Sequence, residues 1–224
     1  MADTSLMDST RAIYIDFEGT IKDPPSLMGL LYHDQDDQAV FKQFVIEPGL
    51  YPAGNAKEQC VNLPIEQVFE TVAMQCKDEQ RILMSWSTRE ARVIDEYCKS
   101  EFLRAYLLEN IWDVKVEARK WKRNHFPEIR FPYIRGQGRH RLTEYLKLIH
   151  YQVPRGHGPG NTGQRVRYVR NQLLRTDGDY LATTAVAKGK WTKLLAHNYH
   201  DCNGLREIAI RCTSDSSDHE HGRI

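Results

Sequence analysis

The 224-residue chain lacks most of what would tie it to a membrane or cross-link it. No stretch approaches the roughly 18 consecutive apolar residues of a membrane span, which argues against an integral helical membrane protein. The opening MADTSLMDSTRA carries acids and hydroxyls but no apolar core, so it does not read as a signal peptide. The five cysteines (Cys60, Cys76, Cys98, Cys202, Cys212) are odd in number, scattered and never spaced C-x-x-C. That speaks against a disulfide framework or a structural zinc, and for reduced thiols in a cytoplasmic protein. There is no internal repeat. HDQDD (33–37) lacks the spacing of an EF-hand and reads as a solvated turn, and HEHGRI at the C-terminus is too short to count as a metal site.

What remains is a globular composition, 41% hydrophobic and 27% charged, with length enough for a real core. The net charge of +1 conceals an asymmetry. Residues 115–175 hold fifteen Lys and Arg against three Glu, so the rest of the chain is correspondingly acidic. Such a division is expected where one segment meets a polyanion and another holds cations, although a solvated basic face would look the same.

Periodicity gives the organisation. IYIDFE, LMGLLYH (27–33) and AVFKQFVIE (39–47) are strand-length apolar runs separated by short turns, an antiparallel meander. PGLYPAGN (48–55) reads as a loop. From Leu63 the spacing turns helical, with Ile65, Val68, Phe69, Val72, Ala73 and Cys76 on one stripe. RILMSW (81–86) is a fourth strand. A helix follows, capped by Ser87 or Thr88, with Ala91, Ile94, Tyr97, Cys98 and Phe102 on its apolar side. IWDVKVE (111–117) alternates like a fifth strand. Helices are expected over 141–151, 164–175 and 190–212, with a Gly/Pro linker at 152–163. The fold expected is α/β, a mixed five-stranded sheet of three meander strands and two parallel ones flanked by helices. Residues 12–212 form a single domain in this reading, with a basic insert around 118–175, a flexible N-terminus (1–11) and a disordered tail (213–224).

Four acids fall where this topology could gather them. Asp16 and Glu18 are two apart at the end of the first strand, on one face and about 7 Å apart at Cα. Glu90 opens the helix after the fourth strand, and Asp201 lies in the last helix. Parallel neighbours bring their C-terminal ends to one sheet edge, the usual ligand site of open α/β sheets. Like charges so close are costly unless a cation sits between them, and four carboxylates suit two hard divalent ions, Mg²⁺ or Mn²⁺. By itself a D-x-E at a strand end is as readily a wet polar edge.

The ordered set IYIDFEGT, MSWSTRE (84–90) and HNYHDCNGL (197–205) resembles the three motifs of the DEDD-type 3′→5′ exonuclease superfamily, which has the ribonuclease H-like fold. It is closest to the RNase H-like domains associated with RecB-type nucleases, and the resemblance spans about residues 12–212. It implies Asp16, Glu18, Glu90 and Asp201 as metal ligands and His197 as the group that orients or deprotonates the attacking water. Two positions depart from the family pattern. Glu90 stands where Asp is commoner, and His197 is four residues before Asp201, where one branch has Tyr and the other places its His a residue earlier, at Ala196.

The expected function is therefore a divalent-metal-dependent nuclease, hydrolysing phosphodiester bonds of DNA or RNA as a 3′→5′ exonuclease by a two-metal mechanism. The alternatives are a nucleic-acid-binding module of the same fold with little or no catalysis, or an endonuclease using the same site. Arg119, Lys120, Lys122, Arg123, Arg139, Arg141, Arg165, Arg167 and Arg170 are the expected nucleic-acid contacts, with Trp121, Phe126, Phe131, Tyr133 and Tyr168 as stacking surfaces for a single strand.

Overall fold

Strand β1 (Ile13–Glu18) sorts its side chains by the two-residue period of a pleated strand. Ile13, Ile15 and Phe17 enter one apolar cluster, while Tyr14 enters another on the opposite face, the face that Asp16 and Glu18 share with it. The computed structural model describes residues 9–20, 23–136, 138–154 and 162–220. Within them β1 pairs antiparallel with β2 (Leu27–His33), which pairs antiparallel with β3 (Ala39–Val45). The turn between β2 and β3 is closed by Asp34, whose Oδ1 accepts from the amides of Asp36 and Gln38.

On its other side β1 pairs parallel with β5 (Leu83–Ser85), and β5 with β6 (Ile111–Asp113). The meander and the two parallel strands follow the expected pattern, but the sheet has six strands rather than five. Strand β4 (Cys60–Asn62) adds parallel to β3, giving the order β4-β3-β2-β1-β5-β6. Three residues are too few to display a period, which is why CVN escapes a sequence reading.

The helices correct several boundaries. Residues 48–55 are not a loop: a 3-10 turn (Pro48–Leu50) runs into α1 (Tyr51–Asn55), with the prolines near the starts of the turn and the helix, where a missing N–H is harmless. Helix α2 (Ile65–Asp78) buries Val68, Phe69, Val72, Ala73 and Cys76. Helix α3 (Thr88–Tyr97) is capped by Ser87, whose Oγ accepts from the Arg89 amide at 3.2 Å. It does not continue to Phe102. The chain turns extended at Cys98, and Ser100 caps a separate α4 (Glu101–Glu109), leaving Phe102 82% exposed. Likewise β6 ends at Asp113, whose carboxylate accepts from the Lys115 amide and starts α5 (Val114–His125); the local cap overrides the alternation of VKVE.

Helices α6 (Leu142–Leu148), α7 (Thr162–Arg175) and α8 (Ala185–Glu220) complete the chain. Helix α8 starts five residues before the expected Lys190 and extends through 213–220, a stretch whose composition suggests disorder. Residues 1–8 and 221–224, and most of the expected linker (155–161), lie outside the described residues. No described helix is long and apolar enough to cross a membrane.

Helices α2, α3 and α4 cover one sheet face. Helix α8 crosses the other, packing on β1 and β2 between two separate apolar clusters. Trp191, Leu194 and Leu195 join α7 and α1 in one, and Cys202, Leu205 and Ile208 join α5 and α6 in the other. The 118–175 segment is thus built into the core, through Ala118 and Trp121 of α5, Tyr145 and Leu146 of α6, and Val166, Val169 and Leu173 of α7. Between the clusters, residues 196–201 of α8 lie over the polar end of β1.

Candidate metal centre

The site forms where the apolar pattern of β1 stops. Glu18 is 5% exposed, and its Oε1 is buried without a hydrogen-bond partner among the described residues. His197 and Asp201, one helical turn apart on α8, face it. His197 Nε2 lies 3.4 Å from Glu18 Oε1 and 3.5 Å from Asp201 Oδ2. Glu18, His197 and Asp201 each offer a ligating atom within 4.8 Å of the others. Glu90 is buried in the first turn of α3, and its Oε2 accepts from the Ser87 hydroxyl at 3.2 Å. Asp16 stands beside Glu18 on the same strand face, its Oδ2 accepting from Asn198 Nδ2 at 2.9 Å. Asp16 and Glu90 lie outside the tight trio but are tied to it by charge.

Those ties show in the acidities. Burial, and then the Asp201 carboxylate, pushes Asp16 up to about 7, against the Asn198 amide and the cationic fields of Arg89 and His197. Burial, and then Asp16, pushes Glu90 up to about 7. Burial, and then Glu90, does the same to Asp201. Glu18 is raised well above the carboxylate range by burial, Asp16 and Asp201, opposed by Arg89 and by a hydrogen bond from Thr162. The four acids therefore titrate as one mutually repelling set. Near neutral pH such a set holds protons unless cations take their place. Cys202, next to Asp201, has its thiol pushed far up by burial and by the same carboxylates, which leaves it an inert core residue.

Several residues here were not among the expected site residues, although Asn198 lies within the third motif. Asn198 is fully buried and donates to both the backbone carbonyl (3.0 Å) and the carboxylate of Asp16. Its Oδ1 accepts from Gln43 Nε2 at 2.9 Å, and Gln43 also donates to the Leu195 carbonyl. Asp16, Gly29 and Gln43 are direct partners across β1, β2 and β3. Asn198 lies over the middle of this row, so close that a Cβ on Gly29 would sit 2.3 Å from its Oδ1. A side-chain-free residue in the interior of β2 is thus required by the approach of α8. The Asp34 turn fixes only the register of Gly29 on Gln43; nothing in the local pattern aligns Asp16 with them. Arg89, exposed on the first turn of α3, and Thr162, at the start of α7, are the other two additions.

The expected nucleic-acid contacts divide. Arg119, Lys120, Lys122 and Arg123 all line one cleft beside α5. Arg141 pairs with buried Glu144 (2.7 Å) and Arg170 with Glu47 (2.9 Å), holding helices in place. Arg139 donates to the Phe131 carbonyl and lies 5.9 Å from the Tyr133 ring centre. Arg165 is half-buried on α7 and Arg167 exposed. Of the expected stacking rings, Trp121 and Phe131 are core residues at 6% and 7% exposure, whereas Tyr133 is open to solvent. The chain shows no match to a protein-family model, to a curated protein or to a solved structure.

Proposed function

We propose that this chain is a divalent-metal-dependent nuclease of ribonuclease H-like fold, removing nucleotides from the 3′ end of DNA or RNA. One observation carries the reading: four carboxylates from β1, α3 and α8, Glu18 and Glu90 buried and Asp16 and Asp201 half-buried, converge at one sheet edge, each with its acidity suppressed by desolvation and by the charge of another. Crowding four acids together, two of them buried, is expensive, and a fold retains such a cluster where a cation repays the cost. The donor set is mainly hard oxygen, which suits Mg²⁺ or Mn²⁺, and the unpartnered Glu18 Oε1 is a ready ligand atom. The meander followed by two parallel strands supports the fold assignment.

Asp16, Glu18, Glu90 and Asp201 would hold two ions. When bound, such ions supply Lewis-acid stabilisation of the attacking and leaving oxygens in an in-line displacement at phosphorus. The chain's own residues do the rest. Asn198 holds Asp16 in place with one hydrogen bond to its carboxylate and one to its backbone carbonyl. His197, between Glu18 and Asp201, orients the attacking water and takes its proton. Arg89 leaves a guanidinium at the mouth of an acidic site, where it offsets the repulsion between the carboxylates and an incoming phosphate.

The placement of His197 favours a second reading. A protonated imidazole within 3.5 Å of two carboxylates is itself a counter-ion, and would let the fold serve as a binding module without metal. Incubating end-labelled single- and double-stranded DNA and RNA with Mn²⁺ separates the two. A ladder ending in mononucleotides, lost in Asp16→Asn, supports the exonuclease. Salt-sensitive binding with no digestion under any divalent metal supports the module, and cutting of a circular substrate identifies an endonuclease.

A further inference from the structure

Helix α5 and the segment 126–140 enclose a cleft of about 420 Å³. Arg119, Lys120, Lys122, Arg123, Arg130 and His140 line it. Two of the five cations are already engaged: Lys120 with Glu117 at 2.8 Å, and Lys122 with the Ile129 carbonyl. Arg119, Arg123 and Arg130 make no ion pair among the described residues. Arg119 and Arg123 are one turn apart on α5, so their guanidiniums emerge on the same side. The field they create is felt by His140, which burial and the cations Arg119, Lys122, Lys115 and Arg139 hold toward its neutral form.

From this geometry we infer that the α5 cleft binds the phosphate backbone of one nucleic-acid strand. Unpaired guanidiniums converging in a concavity repel one another until an anion enters, and their planar forks match phosphate oxygens two at a time. The volume is that of a nucleotide-scale pocket. Beside it Tyr133, 63% exposed with Arg139 over its ring, offers a face on which a base can stack, something an acidic peptide would not use.

The cleft also stands in a defined relation to the carboxylates. Helix α5 starts at Asp113, the C-terminal end of β6, and β6 is two strands from β1 along the same sheet edge. Two strand spacings are about 10 Å, and Arg119 lies five residues, about 7 Å, farther along α5, so a strand with its end among the carboxylates reaches the cleft after several nucleotides. That orientation rests on the nuclease reading; occupancy of the cleft by phosphates does not.

The test is fluorescence anisotropy with a labelled single-stranded 12-mer in EDTA, where metal-dependent cleavage cannot occur. Arg119→Glu and Arg123→Glu are each expected to weaken binding about tenfold, and to lower the slope of log K against log salt by about one. Lys77→Glu, the same charge change on exposed α2, should leave both within twofold. Arg119→Lys should restore the salt slope and part of the affinity, a point charge without the fork, showing that the loss is not misfolding. Equal losses in Lys77→Glu and the cleft variants, or no binding by the wild type, overturn the inference. So does polyglutamate competing as well as the oligonucleotide at matched charge, which would make the cleft a site for acidic protein. Cleft-dependent binding in EDTA without any digestion in Mn²⁺ removes the nuclease reading and leaves the cleft assigned.

Discussion

The two charged regions of this molecule are built in opposite ways. At the carboxylate centre the acids are drawn from a strand and two helices, buried or half-buried, and held in fixed positions by Asn198, Ser87 and Thr162. Around the α5 cleft the cations sit on long side chains, and three of them, the exposed Arg119, Arg123 and Arg130, have no ion-pair partner among the described residues. Concentrated charge out of water makes each residue matter and stores repulsion in the fold; dispersed charge in water is cheap and its members are nearly interchangeable. Substitution at the first region should therefore give large, coupled changes in chemistry and stability. At the second it should give graded changes in affinity alone.

The sharpest test of that contrast is Asp16→Asn. The amide keeps the volume and can still accept from Asn198, but it removes one ligand charge. Mn²⁺-dependent digestion should fall by about 10³-fold or more in single-turnover assays, the scale expected for losing several kcal/mol of metal-ion stabilisation. In metal-free buffer at pH 8 the same variant should be more stable than wild type by about 1 kcal/mol or more, because a repelling buried charge has gone. Arg119→Ala, by comparison, should leave stability within about 0.5 kcal/mol. Full activity in Asp16→Asn would overthrow the role given to the carboxylates.

Next in size is the scaffold behind Asp16. Asn198→Ala frees that carboxylate and leaves Gln43 with only the Leu195 carbonyl as acceptor, so Mn²⁺ affinity measured by titration calorimetry should drop roughly 10- to 100-fold, the usual weight of a group that orients a ligand. Unfolding should become easier by about 1–3 kcal/mol. Gly29→Ala should do likewise without touching a polar group, since its methyl would displace Asn198. Unchanged Mn²⁺ binding in both would reduce Asn198 to a packing role.

How much of this was legible beforehand follows from the range of each signal. The D-x-E of β1, the capped start of α3 and the four-residue spacing of His197 and Asp201 are local periodicities, so they could be read directly. The row Asp16–Gly29–Gln43 needs the register of three strands and the path of a helix more than 150 residues away, and no window of sequence holds both. Cys98–Ser100 hid a break that the Ser100 cap could have revealed, and VKVE kept the alternation of a strand while its Asp113 cap dictated a helix. The basic stretch was visible as charge. The pairing of Arg141 with Glu144 follows from their i,i+3 spacing, but which member is bound to Glu47, and which face a cleft, is a matter of tertiary contact alone.

Stability against pH gives a smaller but diagnostic effect. Asp16, Glu90 and Asp201 are each raised to about 7 in the folded chain from ordinary values near 4. Between those limits the native state holds protons that the unfolded chain releases. The resulting stabilisation is full below about pH 4 and is lost as pH climbs through 7. Without metal, thermal unfolding should therefore show stability falling from pH 5 to 8, on the order of 1 kcal/mol per pH unit. Saturating Mg²⁺ or Mn²⁺ should flatten that fall by replacing the protons. A metal-free protein equally stable across the range would mean the four acids do not repel as placed.

The smallest effect expected belongs to the residue that joins the two regions in character, Arg89, an exposed cation at the edge of the buried acids. It lowers the proton affinity of Asp16, Glu18 and Glu90, yet forms no ion pair with any of them among the described residues. Removing it by Arg89→Ala should raise KM for an oligonucleotide several-fold with kcat little changed, because the lost attraction acts on the incoming phosphate in the ground and transition states alike. The same change should move the acidic limb of the pH–rate profile to higher pH, since the carboxylates lose a neighbour that favours ionisation. Arg89→Lys should restore the pH limb more completely than KM, a point charge serving the first and a planar fork the second. If KM and the pH limb moved together in the Lys variant, one charge effect would account for both, and the contact assigned to the phosphate would have to be given up.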